Sequence, residues 1–129
     1  MSPPDPFPLV SPATAEHYGW GAQCHAWFLL KRETLHVIEE LMPPGAREVR
    51  HYHRHATQFF YVLAGELSME SGPARTTIPA GQGVVVSPGQ PHQAVNASAK
   101  AVRFLVVSSP PSHGDRVDIG EDDRTDPAR

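Results

Sequence analysis

One segment of the chain places three potential metal ligands on two predicted β-strands: Gly45-Ala-Arg-Glu-Val-Arg-His51-Tyr-His53-Arg-His-Ala-Thr-Gln58-Phe-Phe-Tyr-Val-Leu-Ala-Gly65. Side chains at positions i and i+2 of a strand project to the same face. His51 and His53 are therefore expected to point in one direction. Gln58 opens the next apolar run, so it lies on the adjoining strand, and all three side chains can face the same interior.

A second segment supplies a fourth candidate ligand: Gly81-Gln-Gly-Val-Val-Val-Ser-Pro-Gly89-Gln-Pro-His92-Gln-Ala-Val-Asn96. Its Pro-Gly pair and the proline before His92 predict a tight turn that fixes this histidine. Four ligands from two hairpins can then converge on one cation. The alternative is that these histidines are incidental core or surface residues. Their joint spacing favours a metal site.

The rest of the chain reads as strands separated by turns. Apolar runs rich in Val, Ile and Phe recur about every ten residues and are bounded by Gly, Pro, Asn and Ser. They cover Ala26–Leu30, Leu35–Ile38, Phe59–Leu63, Val84–Val86 and Val102–Val107. No window shows the i, i+3, i+4, i+7 spacing of a long helix. The pattern predicts an all-β sandwich or barrel.

The two ligand segments resemble the two signature motifs of the cupin superfamily. The first motif runs from glycine through His-x-His and an acidic ligand to a second glycine, as Gly45 to Gly65 do here, with Gln58 in place of the usual Glu. The second is matched by Gly81, Gly89, His92 and Asn96. Ser87 stands where the family usually has proline. The resemblance spans roughly residues 34–108 and implies a double-stranded β-helix, or jelly-roll, barrel.

The resemblance also implies one divalent transition metal held by His51, His53, Gln58 and His92. Neutral histidines with open coordination positions suit Fe, Mn, Ni, Cu or Zn, and ligand identity does not choose among them. A neutral amide in place of carboxylate makes the site one unit more positive and a stronger Lewis acid. Gln58 either binds the ion directly or hydrogen-bonds to a water on it.

An apolar cup is expected around the ion, lined by Val49, Phe60 and Val62, and it suits a small molecule that coordinates through oxygen. Three polar residues are weaker catalytic candidates: Glu39, His55 and Arg103. Either Glu39 or Glu40 faces inward as a base with a raised pKa, or both are edge carboxylates.

His55 repeats the His-x-His spacing but falls in the connection between the ligand strands, so it is a rim residue or an accessory group. Arg103, between two apolar residues of the last predicted strand, orients a substrate carboxylate or lies on the outer face. Composition and spacing leave both alternatives open.

Two classes of function fit these observations. The first is a metal-dependent enzyme acting on a small oxygenated metabolite, an enol, dicarbonyl or carboxylate compound. Its chemistry is either dioxygenase cleavage or redox-neutral isomerase, cyclase or lyase chemistry, because the superfamily supports all of these on one barrel. The second is a non-catalytic cupin that binds or senses a small molecule.

Composition and chain ends bound the remaining expectations. Five of the fourteen prolines fall in the first twelve residues, so residues 1–17 are predicted to form an extended arm, packed on a neighbouring subunit or disordered. The barrel is assigned to residues 18–113. Residues 114–129 contain six acids against three arginines, which accounts for the net charge of −3, and are predicted to form a mobile acidic tail.

The partners and location follow from the same composition. The sequence contains no basic patch of the kind that binds nucleic acid, so no nucleic-acid partner is expected. It also contains no apolar stretch long enough to span a membrane. The single cysteine, Cys24, favours a reducing, cytoplasmic location. By resemblance to other small cupins, a homodimer is expected.

Overall fold

The protein is built from β-strands, as the apolar runs predicted. The computed structural model describes residues 6–119, and this part of the chain contains eleven strands and no helix. In chain order they are β1 Glu16–Trp20, β2 Cys24–Lys31, β3 His36–Met42, β4 His51–His53, β5 Thr57–Ala64, β6 Glu66–Ser71, β7 Ala74–Pro79, β8 Gly83–Val86, β9 Gln93–Val95, β10 Val102–Ser109 and β11 Arg116–Asp118. Within residues 6–119, no helix is long and apolar enough to cross a membrane.

Three antiparallel sheets form the barrel. The largest has the strand order β1-β2-β3-β10-β5-β8, the second is β7-β6-β9, and the third pairs β11 with β4. The crossover that places β10 between β3 and β5 is typical of a jelly roll. The predicted double-stranded β-helix is therefore confirmed.

The core lies between the two larger sheets and follows the alternation of β10. Val102, Phe104 and Val106 are buried, whereas the residues between them are half-buried. They pack with Phe60 of β5 and Leu67 of β6 in one continuous apolar cluster. Because alternate residues of β10 face inward, the side chains of Ser108 and Val106 extend this inner face toward the ligand region.

The glycine that ends the first motif has a structural reason. Gly65 adopts φ of 82°, a left-handed conformation that other residues rarely adopt. A Cβ atom at this position would lie 2.6 Å from the carbonyl oxygen of Ala101. The turn between β5 and β6 can therefore pass this close to β10 only with glycine.

The chain ends differ in part from the predicted boundaries. Glu16 already begins β1, so only residues 6–15 of the predicted arm are described as non-strand, and they are largely exposed. Within the segment predicted to be a mobile tail from residue 114, Arg116–Asp118 forms strand β11 and pairs with β4. Backbone pairing with the short strand β4, which carries His51 and His53, holds this segment in place. Residues 1–5 and 120–129 lie outside the described residues.

Candidate metal centre

Three of the predicted ligands meet at one end of the barrel. His51 and His53 project from β4, and His92 lies opposite His51 in an isolated β-bridge whose two backbone hydrogen bonds measure 3.0 and 2.8 Å. One nitrogen of each imidazole lies within 4.8 Å of the others. The three side chains are 1–5% exposed. The histidines of both sequence motifs therefore lie close together in the fold.

Backbone carbonyls orient two of these imidazoles. Nδ1–H of His51 donates to the carbonyl of Val49 at 2.7 Å, and Nδ1–H of His92 donates to that of Gln90 at 2.9 Å. Each bond fixes the tautomer that leaves Nε2 with a free lone pair. Nε2 of His92 is buried and has no hydrogen-bond partner among the described residues. A buried, unpaired acceptor of this kind is what a metal ion would satisfy.

The imidazoles are also kept neutral. Burial, followed by the neighbouring His92, lowers the pKa of His51 to about 3 and that of His53 to about 4. Burial lowers the pKa of His92 as well. Because a neutral imidazole is the ligand form, no proton has to be removed before a cation binds near neutral pH.

Gln58 adds a fourth donor directed to the same region. Its side chain is buried on β5, and its Nε2 donates to the hydroxyl oxygen of Ser108 on β10 at 3.1 Å. This bond leaves Oε1 buried and without a partner in the described part of the chain. The donor set, three neutral imidazoles and the unpaired Oε1 of Gln58, fits a divalent transition metal.

The cluster opens on a cavity of about 320 Å³. The wall of this cavity is formed by residues of β1, β3, β4, β5 and β10, by one residue before β4, and by the segment 112–116. The lining residues are Tyr18, Trp20, Ile38, Glu40, Glu48, His51, His53, Gln58, Phe60, Phe104, Val106, Ser112, His113, Gly114 and Arg116. This volume lies at the small end of the roughly 300–1,000 Å³ that small-molecule pockets occupy. The cavity therefore suits a small metabolite.

Of the three apolar residues predicted to line the cup, only Phe60 does so. Val62 shares the inward face of β5 with Phe60, but it lies farther along the strand and is completely buried in the core. Val49 precedes β4 in irregular backbone, so the strand alternation does not reach it. Its side chain is 41% exposed, and its contribution to the site is its carbonyl oxygen.

The three weaker catalytic candidates also lie away from the cavity. Glu39 is on the outer face of β3, where its carboxylate forms an ion pair with Arg103 of β10. The guanidinium of Arg103 in turn covers the ring of Trp27 at 5.3 Å. His55 is exposed in the turn between β4 and β5. Strand alternation sends Glu40, rather than Glu39, into the cavity.

Two carboxyl groups inside the cavity have raised pKa values. Burial, and then the charge of Glu48, raises the pKa of Glu40 to about 8. Burial also raises the pKa of Glu48 to about 7, against the opposing effect of the hydrogen bond that its Oε1 accepts from the Ala94 N–H at 2.9 Å. Near neutral pH one of these groups is mostly protonated while the other is partly ionised, which suits proton transfer.

No strong feature of the sequence marks the remaining polar residues of the cavity wall. Tyr18 comes from β1, Ser112 and His113 come from the last residues assigned to the barrel, and Arg116 comes from the segment predicted to be a tail. Only one apolar residue, Val117, stands in the three-residue strand β11, so neither alternation nor composition marks it. The remaining indication of a strand was that Arg116 and Asp118, on either side of Val117, share one face when the segment is extended.

The sequence matches the Cupin domain family over residues 38–108. The chain therefore belongs to the cupin family. A comparison of the sequence with curated proteins found no match.

Solved structures with the same fold include proteins of different activities. The polyketide cyclase RemF from Streptomyces resistomycificus superposes with a TM-score of 0.76 at 16% identity, covering 89% of this chain and 87% of that one. An uncharacterized double-stranded β-helix protein from Klebsiella pneumoniae gives 0.72 at 22% identity, covering 88% and 96%. A sugar phosphate isomerase of the cupin superfamily from Silicibacter pomeroyi gives 0.67 at 22% identity, covering 79% and 75%. At these identities the likeness shows the fold.

Proposed function

We propose that this protein is a metal-dependent enzyme that catalyses a redox-neutral proton transfer, of the isomerase, cyclase or lyase type, on a small oxygenated metabolite. The observation that carries the proposal is the position of Glu40: a carboxyl with a pKa of about 8 shares one small cavity with His51 and His53, two members of the three-histidine cluster. A proton donor or acceptor beside a site for a cation is the arrangement that enolisation requires.

In this proposal the cation is held by the imidazoles of His51, His53 and His92, with the Oε1 of Gln58 as a further donor. When bound, it would act as a Lewis acid toward an oxygen of the substrate. These four ligands contribute no negative charge. The hydroxyl of Ser108 keeps the Gln58 amide turned so that its oxygen, rather than its nitrogen, faces the site.

Glu40 and Glu48 are assigned the proton transfer. Near pH 7 Glu48 is partly ionised and can accept a proton, whereas Glu40 is mostly protonated and can donate one. A pair of carboxyls with separated pKa values can remove a proton at one carbon and deliver it at another. Phe60, Phe104 and Val106 form the apolar wall around them, which limits access of water to the reacting atoms.

The fold neighbours are compatible with this assignment, since one is a cyclase and another an isomerase. Dioxygenase cleavage and non-catalytic binding are the competing functions. An oxygenase has no evident need for two protonatable carboxyls in its cavity, and a binding module would not need either of them.

The test is proton exchange in D2O. Metal-loaded protein is incubated with a panel of small 2-oxo and 3-oxo carboxylates, and loss of the α-proton is followed by NMR. We expect Glu48→Gln, which removes the proton acceptor, and Glu40→Gln, which removes the proton donor, each to reduce the exchange rate at least about 100-fold, since a positioned acid or base contributes roughly 10²–10⁴-fold. The matched control is Glu39→Gln, which alters the neighbouring carboxyl on the outer face and should retain the wild-type rate.

Metal content and oxygen uptake are measured on the same samples. If the glutamate variants contain equal amounts of metal, a loss of proton exchange is due to the proton transfer and not to loss of the ion. Consumption of O2 in proportion to substrate would contradict the proposal in favour of an oxygenase. Tight binding with no exchange on any member of the panel would favour the binding module.

A further inference from the structure

Arg116 is the one arginine or lysine on the cavity wall formed by the described residues. It lies on β11 directly opposite His53 of β4, so backbone pairing places it beside the ligand strand. Its Nη2 donates to the carbonyl oxygen of Val49 at 3.4 Å, the same oxygen that accepts the Nδ1–H of His51. One backbone carbonyl therefore links the guanidinium to a candidate metal ligand.

The guanidinium keeps donors available. Arginine has five N–H donors in a planar fork. Two of them are occupied, one by Val49 and one by the Oδ1 of Asp118, to which Nε donates at 2.5 Å. Asp118 is 59% exposed, so this ion pair is screened by water and competes weakly with a ligand inside the cavity. Three N–H groups remain for an incoming anion.

Two neutral polar groups share the same end of the cavity. The hydroxyl of Tyr18 and Nε2 of His113 lie 3.4 Å apart, and both residues line the wall. Burial raises the pKa of Tyr18, so its hydroxyl keeps its proton and can donate. Arg116, Tyr18 and His113 all line the cavity, and together they are called the polar mouth.

We propose that Arg116 binds the carboxylate of a small carboxylic-acid substrate whose other oxygen faces the histidine cluster. This inference rests on the proposed function in one respect only: the end of the substrate that faces the histidine cluster is the end that reacts. A planar fork next to a cation site selects a carboxylate bidentately. At the position of Arg116 the charge balance favours a carboxylate group, which carries one negative charge, over a phosphate group, which carries two, because one arginine shares the cavity with two carboxyl groups, Glu40 and Glu48.

Binding is measured without catalysis, using malonate as the probe and malonamide as its uncharged analogue. Calorimetric titrations are made on metal-free and on Zn²⁺-loaded protein. We expect Arg116→Gln to weaken malonate binding at least about tenfold in both forms, because hydrogen bonds to charged groups are worth about 1.5–3 kcal/mol. Malonamide binding should be the same in the variant and the wild type.

Two further variants keep the test independent of folding defects. Arg103→Gln removes an arginine that is paired with Glu39 outside the cavity, and it should leave malonate binding unchanged. Asp118→Asn releases Arg116 from its ion pair and should tighten malonate binding. Wild-type affinity in Arg116→Gln, equal affinity for malonamide and malonate, or tighter binding of inorganic phosphate would each overturn the proposal.

The two proposals fail in different ways. If malonate binding depends on Arg116 but Glu40→Gln exchanges protons normally, the proposed reaction is wrong and the carboxylate site stands. If Glu40→Gln abolishes exchange while Arg116→Gln binds malonate normally, the carboxylate site is wrong and the reaction stands.

Discussion

At the scale of single residues, the backbone prepares the metal ligands. Carbonyl oxygens of Val49 and Gln90 each accept the Nδ1–H of a histidine two residues further along the chain. The rings are thereby held with Nε2 available before any ion binds. Histidine spacing in the sequence identified the ligands, but it carried no information about these carbonyl partners, because they depend on the irregular backbone before β4 and β9.

Gln58 illustrates the same point for the amide ligand. Its place in the motif follows from the sequence, whereas the direction of its oxygen follows from Ser108, fifty residues later. Their pairing was not predictable locally, because it requires β10 to lie next to β5 in the register that opposes these two residues.

The depressed pKa values of the imidazoles predict how the metal-free protein responds to acid. Burial lowers the pKa of His51 from its ordinary value of 6.5 to about 3, and that of His53 to about 4. Below pH 6.5 the unfolded chain therefore binds more protons than the folded protein, so these two groups increasingly destabilise the fold as the pH falls toward 4. Each contributes a slope of up to about 1.4 kcal/mol per pH unit.

The cavity carboxyls act in the opposite sense. Glu40 and Glu48 hold protons in the folded state up to about pH 8 and 7, so they add stability as the pH falls from there toward 4.5. The measurement is therefore comparative: chemical denaturation of metal-free protein at pH 6.5, 5.5 and 4.5. We expect His51→Gln to lose less stability over this range than the wild type, and exposed His55→Gln to match the wild type. Equal slopes in all three proteins would contradict the account.

At the scale of elements, β11 completes the site. It pairs with β4, and Asp115 just before it accepts backbone N–H groups of Arg54, His55 and Ala56 at 3.2, 2.9 and 2.8 Å. Although burial acts in the opposite direction, the bonds from His55 and Ala56 hold the pKa of Asp115 below its usual value. These three residues form the turn between His53 and the strand that carries Gln58.

Asp115 should therefore position the metal ligands without contacting the ion. We expect Asp115→Asn to weaken metal binding roughly tenfold, because an amide offers one oxygen where the carboxylate offers two, and loss of outer partners typically costs about 10–100-fold in affinity. Affinity is measured by competition with a chelator. Amide hydrogen exchange of residues 54–57 should accelerate in the same variant.

The matched control is Glu70→Gln, which removes an ion-paired carboxylate from the three-stranded sheet. It should leave both metal affinity and exchange of the turn unchanged. Unchanged metal affinity in Asp115→Asn, with faster exchange of the turn, would show that the turn does not position the ligands.

At the scale of the whole molecule, the parts that sequence could predict are those with dense local signals. Regular apolar runs predicted β2, β3, β5, β8 and β10, and the two motifs predicted where the ligand histidines meet. The short strands β1 and β11 have no such signal; β1 pairs with its neighbour β2, whereas β11 is brought to the cavity by pairing with the distant strand β4. Consequently the sequence predicted the histidine cluster, but it did not predict the polar mouth with Tyr18 and Arg116.

The central claim is that one divalent cation is shared by the three buried imidazoles. It is tested by elemental analysis and X-ray absorption spectroscopy of Zn²⁺-loaded protein. We expect one ion per chain with three imidazole nitrogens at about 2.0–2.1 Å, and we expect this ion to be lost in His92→Ala and retained in His55→Ala. A stoichiometric ion in His92→Ala, or a spectrum with fewer than three imidazoles in the wild type, would contradict it.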